Sequence, residues 1–522
     1  MAQISSVSGL AAPATVAQIE LSDPVTVTHI SVADFGPDSD SRPDGEFWPD
    51  GEYSIAPALV LVRLHGQPIG TVLVDAPGGR VDESTCFKVA WTSLETEISR
   101  HLAADGLPFE AQVPARPGGR APQCQQQAVP IPDPAPSVTV LVATRERQVL
   151  LASCLDALSE LDYPNYDVVV VDNAPATDQT EQLIADKYPD VRYVREDQPG
   201  LAAAHNCGLR AATGSILAFT DDDVRVDRQW LTETVRAFQA GPDVACVTGL
   251  ILPAELQTRA QIMLEAHGQF GKGYQQRIFD LKQNRPDDPL FPFTAGQLGS
   301  GANMSFDAEM LRAMGGFDQA TGTGTVARGG DDLAAFFAVI AAGHSLVYQP
   351  AAMVWHRHRR DLESLSNQAY GYGVGLGAYL ASALAAHPST LWRALYRAPA
   401  ALSYAFRPDS PRSAHLKNED EWPRELSRLE RRGLAYGPVA YVRSRWRTRG
   451  TRRSVAAPVP AIPAPAVPVP TASVPAASVP AARASAAPAP TAAASSASAA
   501  IPKPAAPTPA APTSSASTSV RP

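Results

Sequence analysis

The chain has 522 residues, which is enough for more than one buried core. Its 44 basic and 53 acidic residues give a formal charge of −9. The final 68 positions, from Val455, hold three basic residues and no acidic one, so the rest of the chain carries −12. An acidic body argues against nucleic acid as a partner, because a phosphate backbone is bound through a surplus of Lys and Arg.

The five cysteines are widely spaced and form no Cys-x-x-Cys pair. This pattern predicts neither a disulfide framework nor a zinc site, and it fits a reducing compartment. The first 20 residues contain no Lys or Arg, so they lack the basic start of a secretory signal. No apolar stretch is strong enough to predict a spanning helix. We therefore expect a cytoplasmic protein, and peripheral contact with the inner face of the plasma membrane stays open.

Residues 1–108 have the pattern of a small α+β accessory module. The predicted elements are strands at 58–64 and 69–74 and a helix at 87–102. The turn sequence His65-Gly66-Gln67-Pro68 lies between the two strands and predicts a hairpin. Residues 109–136 are rich in Pro, Gly and Gln, which predicts a linker.

After residue 136, short β-branched runs alternate with helical patterns. The predicted strands are 137–144, 166–171, 191–194 and 215–220, and the predicted helices are 147–160, 177–188 and 200–212. Continuously apolar strands of this kind form a Rossmann-like, mostly parallel sheet flanked by helices, so residues 137–361 predict an α/β domain. Such sheets bind ligands beyond the carboxyl ends of their strands.

The rest of the chain divides into a helical extension, residues 362–448, and a tail, residues 449–522. The tail is rich in Pro, Ala and Ser, which predicts a disordered spacer. In the extension, glycines alternate from Gly371 to Gly377, but no strand precedes them as a dinucleotide site requires. These glycines predict close helix packing or a flexible membrane-facing segment.

An acidic triplet, Asp221, Asp222 and Asp223, follows the predicted strand 215–220. Side chains alternate along a strand, so Asp221 and Asp223 can face one side and Asp222 the other. Two such carboxylates suit Mg²⁺ or Mn²⁺ completed by the oxygens of a diphosphate. A solvated acidic turn is the alternative.

A second acidic pair, Asp331 and Asp332, follows two glycines and opens a predicted helix. The ordinary explanation is helix capping, and the alternative is that one carboxylate acts as general base for an acceptor hydroxyl. His356 and His358 share a face of an extended run. Either histidine could complete a metal site or simply pack.

Taken in order, these motifs resemble the family 2 glycosyltransferases, which have the GT-A fold. The resemblance covers residues 137–358. It rests on Val142-Ala-Thr-Arg-Glu146, Val171-Asp172-Asn173, Pro199-Gly-Leu-Ala-Ala-Ala-His-Asn206, Phe219-Thr-Asp-Asp-Asp-Val224, Gly330-Asp-Asp-Leu333 and Val354-Trp-His356. Residues 1–108 and 362–448 are also similar to accessory parts of some actinobacterial members.

The resemblance implies inverting, metal-dependent transfer of one sugar from a nucleoside diphosphate sugar. A UDP-sugar is the favoured donor. The acceptor would be a hydroxyl of an envelope polysaccharide, a glycolipid or a secondary metabolite. The implied catalytic residues are Asp332, as base, and Asp331. The implied sugar-nucleotide-binding residues are Thr144, Glu146, Asp172, Asn206, Asp221 and Asp222. The implied ligands of Mg²⁺ or Mn²⁺ are Asp221, Asp223 and His356.

The chain departs from the family at two positions. His205 stands where the family often has Arg, and Ala334 where it commonly has a further acidic residue. These departures motivate an alternative, a scaffold that binds sugar nucleotides without turnover. Sugar-nucleotide synthesis would need a Gly-rich loop where the chain has Thr144-Arg-Glu-Arg147, and the Gln-x-x-Arg-Trp signature of processive synthases is missing.

Overall fold

The computed structural model describes residues 7, 10–22, 25–30, 56–110, 122–126, 128–268, 270–387 and 422–449. The predicted spacer beyond residue 449 lies outside the described residues. Most of the predicted linker after residue 110, and residues 388–421 of the predicted helical extension, also lie outside them.

The N-terminal part forms a four-stranded sheet with two helices. Its elements are β1 (Thr15–Glu20), β2 (Thr26–Ile30), β3 (Ala56–Leu64), β4 (Gln67–Ala76), α1 (Glu83–Ser93) and α2 (Glu95–Ala104). The strand order is β2-β1-β3-β4, with β1 and β3 parallel. The expected hairpin is confirmed, because β3 and β4 are joined by His65 and Gly66 alone. Both residues have positive φ, of 54° and 82°, as a two-residue hairpin turn requires.

The single helix predicted at 87–102 is wrong, because the structure has two helices that meet at Leu94. Leu94 leaves the helical conformation, with φ −113° and ψ 26°. Its side chain is buried in the core of this sheet and lies over Gly70, where a Cβ would come within 2.7 Å of the Leu94 methyl carbons. Packing of this leucine therefore overrides the helical pattern.

The second sheet has nine strands. They are β5 (Val138–Thr144), β6 (Tyr166–Asn173), β7 (Arg192–Glu196), β8 (Ile216–Asp221), β9 (Val224–Val226), β10 (Val244–Pro253), β11 (Arg277–Phe279), β12 (Asn303–Asp307) and β13 (Ser345–His356). The helices from residue 122 to residue 341 are α3 (Gln123–Gln126), α4 (Gln148–Ser159), α5 (Gln179–Lys187), α6 (Leu201–Ala211), α7 (Trp230–Phe238), α8 (Arg259–Gly268), α9 (Ala308–Ala313) and α10 (Asp331–Ala341).

The predicted α/β class is confirmed. The strand order is β11-β13-β10-β12-β8-β5-β6-β7, and β9 pairs with β13. Strands β8, β5, β6 and β7 run parallel, as do β10 and β13. Apolar side chains fill a core on each face, which explains why these strands read as continuous apolar runs. Strand β12 is antiparallel to both of its neighbours and was not predicted.

Strand β13 is continuous from Ser345 to His356. Its pairing with β10 is irregular between Gly249 and Ile251, opposite Gln349 to Val354. Pro350 lies in this irregular stretch and supplies no backbone N–H, so it is tolerated there. The bulge carries the strand onward to His356.

Two long helices follow, α11 (Leu362–Ala386) and α12 (Arg424–Thr448). They pack through glycines on both helices. A methyl group at Gly373 would lie 2.0 Å from the Glu430 carbonyl oxygen, and one at Gly437 would lie 2.5 Å from the Gly377 Cα. The predicted close helix packing is thus confirmed, since only glycine allows the backbones to approach so closely.

The N-terminal sheet packs directly on the second sheet. Val16 and Leu61 share a buried cluster with Leu252 and Trp355. Arg63 Nη1 also lies 2.8 Å from Asp227 Oδ2. The expected domain boundaries stay a prediction. None of the helices in the described ranges is both long and apolar enough to span a bilayer.

Candidate active site

The predicted acidic residues lie along one edge of the second sheet. Strands β5, β6 and β8 are parallel neighbours, so their carboxyl ends meet at this edge. Thr144 is in register with Asp172, and Ala143 with Asp221. Residues separated by up to 78 positions in the sequence are therefore neighbours, because each lies at the same end of its strand.

Asp221, Asp223 and His356 converge at this edge. One oxygen or nitrogen of each lies within 4.8 Å of the others. Asp223 Oδ1 is buried 3.2 Å from His356 Nε2 and accepts no hydrogen bond from the described part of the chain. A buried carboxylate oxygen without a hydrogen-bond donor costs free energy unless a cation serves it. Two carboxylates and an imidazole therefore fit a divalent metal such as Mn²⁺ or Mg²⁺.

Charge couples these three groups. Burial alone would raise the pKa of Asp223, but the facing His356 and Arg147 keep that pKa below its usual value. Burial would lower the pKa of His356, but Asp223 and Asp221 raise it above its usual value. Burial and the negative charge of Asp223 raise the pKa of Asp221. The cluster concentrates negative charge and is balanced by cationic groups.

Asp222 is not part of this cluster, and it lies with Asp223 in the turn between β8 and β9, where strand alternation does not apply. Its Oδ2 accepts a 2.7 Å hydrogen bond from Thr144 Oγ1, and its Oδ1 pairs with Arg147. Arg147 also donates from Nη2 to Asp223 Oδ2 at 2.8 Å. Arg147 thus bridges the two carboxylates and orients Asp223. We had not predicted this role, although Arg147 follows the end of β5 and could have been found by the same edge argument.

Glu146 and Asp172 flank the next part of the edge. Glu146 has a φ of 53° and accepts hydrogen bonds from the backbone N–H groups of Ala176 and Thr177 at 2.6 and 3.0 Å. Asp172 is fully buried, and its Oδ2 accepts a 3.1 Å hydrogen bond from Tyr193. Burial raises the pKa of Asp172. Its Oδ1 is buried and has no hydrogen-bond partner among the described residues.

Helix α6 carries two residues that the sequence analysis singled out, Asn206 and His205. Asn206 is buried, and its amide donates to the Phe317 carbonyl and accepts from the Phe317 N–H, both at 2.8 Å. This side chain fixes the segment around Phe317, and its implied contact with a sugar nucleotide stays a prediction. His205 Nδ1 lies 3.4 Å from Asp331 Oδ2, so the family departure at this position faces the second acidic pair.

Asp331 and Asp332 open helix α10, immediately after Gly330 in a left-handed conformation. Asp332 Oδ2 accepts a 3.0 Å hydrogen bond from the Gly301 N–H, so this carboxylate is oriented by the loop before β12. Burial, with the adjacent negative charge of Asp331, raises the pKa of Asp332 to about 6. A carboxylate with a pKa near neutrality is suited to general base catalysis.

Two further side chains lie near the site: His358, whose role the sequence left open, and Lys272, which the sequence did not mark. His358 does not join the acidic cluster, because its Nε2 lies 2.8 Å from Glu265 Oε2. Lys272 acts electrostatically on both Glu265 and Asp332, and burial lowers the pKa of Lys272 to about 8. No motif in the sequence marked Lys272, since it lies in a long polar region without a recognisable pattern.

Comparison with known proteins agrees with this geometry. Residues 139–300 match the family described as Glycosyl transferase family 2. The Pre-mycofactocin glycosyltransferase of Mycobacterium tuberculosis is 28% identical over 250 residues, 47% of this chain and 48% of that protein. Glycosyltransferase AglE of Haloferax volcanii is 33% identical over 119 residues, 22% of this chain and 39% of that protein. The chain spans half or less of the length of these relatives.

Among solved structures, a mannosyltransferase from Pyrobaculum calidifontis, in complex with GDP-Man and Mn²⁺, is similar to this chain. It is 23% identical, with 60% of this chain and 88% of that chain covered. Its TM-score is 0.38, which is too low for its ligands to say anything about this chain. The family match over residues 139–300, the order of the motifs and the edge that they form all make this part of the chain similar to the family 2 glycosyltransferases.

Proposed function

We propose that this chain is an inverting glycosyltransferase that moves one sugar from a nucleoside diphosphate sugar to an acceptor hydroxyl. The observation that carries the proposal is the convergence of Asp221, Asp223 and His356 at the edge where β5, β6 and β8 end. The relatives that the chain matches are named glycosyltransferases, which supports the same class of reaction.

The donor would lie along the edge of the sheet. Asp172, with an unpartnered buried Oδ1, and Glu146 would accept hydrogen bonds from the nucleoside, for which we favour uridine. Asp221, Asp223 and His356 would hold Mg²⁺ or Mn²⁺, which when bound supplies positive charge to the leaving diphosphate. Arg147 would keep the Asp223 carboxylate in place, since it contacts both Asp222 and Asp223.

Asp332 would act as the general base. It would take the proton of the acceptor hydroxyl while the acceptor oxygen bonds to the anomeric carbon. The bond from that carbon to the diphosphate oxygen breaks on the opposite face, so the configuration inverts. Asp331, next to Asp332 and 3.4 Å from His205, would raise the basicity of Asp332 through its negative charge.

The direct test is donor binding followed by turnover. A thermal-shift screen of nucleoside diphosphate sugars with Mn²⁺ identifies the donor, because a ligand of the native state raises the melting temperature. Release of nucleoside diphosphate is then measured for the wild type, Asp223→Asn, Asp332→Asn and the control Asp186→Asn, an exposed residue of α5. We expect Asp332→Asn to lower kcat by about 10²–10⁴.

Two results would contradict the proposal. Equal turnover by wild type and Asp332→Asn would show that Asp332 is not the general base. Donor binding without any turnover by the wild type would favour the non-catalytic scaffold instead. In both cases the Asp186→Asn control reports whether an amide substitution alone changes the rate.

We also propose that α12 rests on an anionic membrane surface. Val439, Val442 and Trp446 lie on one face of this helix and are 53%, 65% and 75% exposed. Arg443 and Arg447 are exposed beside them. An apolar stripe flanked by arginines suits the boundary between acidic headgroups and acyl chains.

Co-sedimentation with vesicles tests this contact. We expect the full chain to sediment with vesicles that contain phosphatidylglycerol and to sediment less when Trp446→Ser and Val442→Ser are combined. Thr92→Ser, an exposed position on α1, is the control. If the wild type and the double variant sedimented equally with the vesicles, or if neither sedimented, the proposed membrane contact would be wrong.

A further inference from the structure

A second cluster of metal-binding side chains lies in the N-terminal sheet, away from the acidic residues described above. It consists of His65, His101, Asp105 and Cys124. One oxygen, nitrogen or sulfur of each lies within 4.8 Å of all the others. The four residues come from three separate places: the β3–β4 turn, the end of α2 and helix α3.

Five of the six separations between these atoms lie between 2.7 and 3.6 Å. His65 Nδ1 lies 2.7 Å from Asp105 Oδ2, 3.2 Å from His101 Nε2 and 3.6 Å from Cys124 Sγ. Asp105 Oδ2 lies 3.5 Å from His101 Nε2 and 3.3 Å from Cys124 Sγ. A tetrahedral zinc ion with bonds of about 2.0–2.3 Å places its ligand atoms about 3.2–3.7 Å apart.

Hydrogen bonding alone does not account for this convergence. The His65 Nδ1 atom faces an oxygen, a nitrogen and a sulfur, yet an imidazole nitrogen has either one N–H or one lone pair. It can therefore make one linear hydrogen bond and not three. A cation at the centre would serve all four groups at once, with each lone pair directed inward.

The ligand types decide which metal fits. Two imidazoles, one carboxylate and one thiolate form a mixed N, O and S set, which suits Zn²⁺, whereas Mg²⁺ and Mn²⁺ prefer oxygen. The site is also mostly closed, since the side chains of His65, His101 and Asp105 are 6%, 15% and 0% exposed and Cys124 is half-buried. Four protein ligands in a closed site are typical of structural zinc and leave no position for a substrate.

Surrounding contacts hold the four groups in place. Asp105 Oδ1 accepts a 2.6 Å hydrogen bond from the Cys124 N–H. This bond holds the Asp105 carboxylate in place and leaves its Oδ2 directed at the other ligands. The backbone N–H of His65 donates to Glu20 Oε1 and Ser22 Oγ at 3.0 and 2.8 Å. These bonds support the positive φ of His65 that the two-residue hairpin turn requires.

We propose that His65, His101, Asp105 and Cys124 form a structural Zn²⁺ site. The ion attaches residues 122–126, which lead into the second sheet, to the turn and helix of the N-terminal sheet. Zinc bound there stabilises the folded chain, because the four ligands come together only when these segments are in place. The site takes no part in sugar transfer.

The experiment uses the full chain carrying Asp223→Asn, so that the acidic cluster does not compete for metal. After removal of loosely bound ions by gel filtration, we expect one zinc per chain by elemental analysis. Replacement by Co²⁺ should give the near-ultraviolet charge-transfer band of a Co²⁺–thiolate bond, which the acidic cluster cannot produce because it contains no cysteine. Cys124→Ser should abolish the band, and His29→Ala, an exposed histidine of β2, should keep it.

A second measurement needs no substitution at the site. The other four cysteines are buried, so alkylation of the native chain should report mainly on Cys124. Zn²⁺ should suppress alkylation of Cys124, and a chelator should restore it. The proposal would be overturned by any one of three results: no zinc in the purified chain, a cobalt band that persists in Cys124→Ser, or a rate of Cys124 alkylation that zinc does not change.

Discussion

Asp332 is the residue on which the proposed chemistry depends. It is oriented by the Gly301 N–H at 3.0 Å, and its pKa is raised to about 6 by burial and by Asp331. A base must be ionised to accept a proton, so it works above its pKa and fails below it. We expect kcat/KM to fall about fivefold between pH 6 and pH 5, about tenfold for each further pH unit, and to level off above pH 7. A pH–rate profile at saturating Mn²⁺ measures this, and a flat profile from pH 5 to pH 8 would contradict it.

Asp331 provides a test of the cause of that shift. Its negative charge raises the pKa of Asp332, so removing the charge should lower that pKa. We expect Asp331→Asn to move the acid limb of the pH–rate profile to lower pH, whatever it does to the maximal rate. An acid limb that stays in place or moves upward in this variant would show that Asp331 does not set the pKa.

The sequence predicted the acidic residues better than their partners. Asp221, Asp222 and Asp223 lie at and just beyond the end of a recognisable strand, and the position of that end can be predicted from the local sequence pattern. The pairing of Arg147 with two of these aspartates, and of His205 with Asp331, depends on contacts across the sheet. Such contacts are set by how strands are ordered, which local pattern does not contain.

Among the elements, helices α11 and α12 show how small residues determine packing. Gly373 faces the Glu430 carbonyl so closely that a methyl group would overlap it, whereas at Gly371 the nearest atoms would be 3.9 Å away. We expect Gly373→Ala to destabilise the chain by about 1–3 kcal/mol, as overpacking does. Gly371→Ala, in the same helix, should instead stabilise it by about 0.5–1 kcal/mol.

Chemical denaturation of the two variants measures this difference. Opposite signs of the change in unfolding free energy would confirm that the close approach of α11 and α12 matters. Equal effects at both positions would mean that helix propensity, and not contact with α12, governs these glycines.

Element boundaries were predictable where the apolar period was unbroken. The strands β5, β6 and β8 and the helices between them start and end within about two residues of the sequence prediction. The predictions failed where a single side chain or a distant strand decides the geometry, as at Leu94 and in β12. Strand β12 is short and polar at its start, and it becomes a strand because β8 and β10 offer backbone partners on both sides.

At the scale of the whole described molecule, the N-terminal sheet and the α/β sheet share buried side chains and an ion pair. Arg63 is 15% exposed and pairs with Asp227 at 2.8 Å. We expect Arg63→Met to lower the unfolding free energy by about 1–3 kcal/mol, because a buried charged hydrogen bond is lost. Lys88→Met, at an exposed position of α1, should change it by less than about 0.5 kcal/mol.

Urea unfolding of these variants checks the prediction. A shared core also implies that both sheets unfold together in one transition. Two separate transitions in the wild type, or an Arg63→Met variant as stable as Lys88→Met, would show that the N-terminal sheet is only loosely attached.

The zinc ligands illustrate what composition could not reveal. The spacing between the cysteines predicted no metal site, and four of the five cysteines are buried and free. The fifth, Cys124, meets two histidines and an aspartate only because the β3–β4 hairpin, α2 and α3 are brought together by folding. A ligand set spread over 60 residues with one cysteine has no sequence signature.

The most direct test of the central claim is the configuration of the transferred sugar. Time-resolved proton NMR of the wild type with Mn²⁺ and its preferred sugar nucleotide reports the first anomer formed, either on an acceptor or on water. With an α-linked donor, we predict that the β anomer appears first, and that Asp332→Asn forms neither anomer at a comparable rate. First appearance of the α anomer, or wild-type turnover in Asp332→Asn, would contradict transfer by a single displacement with Asp332 as base.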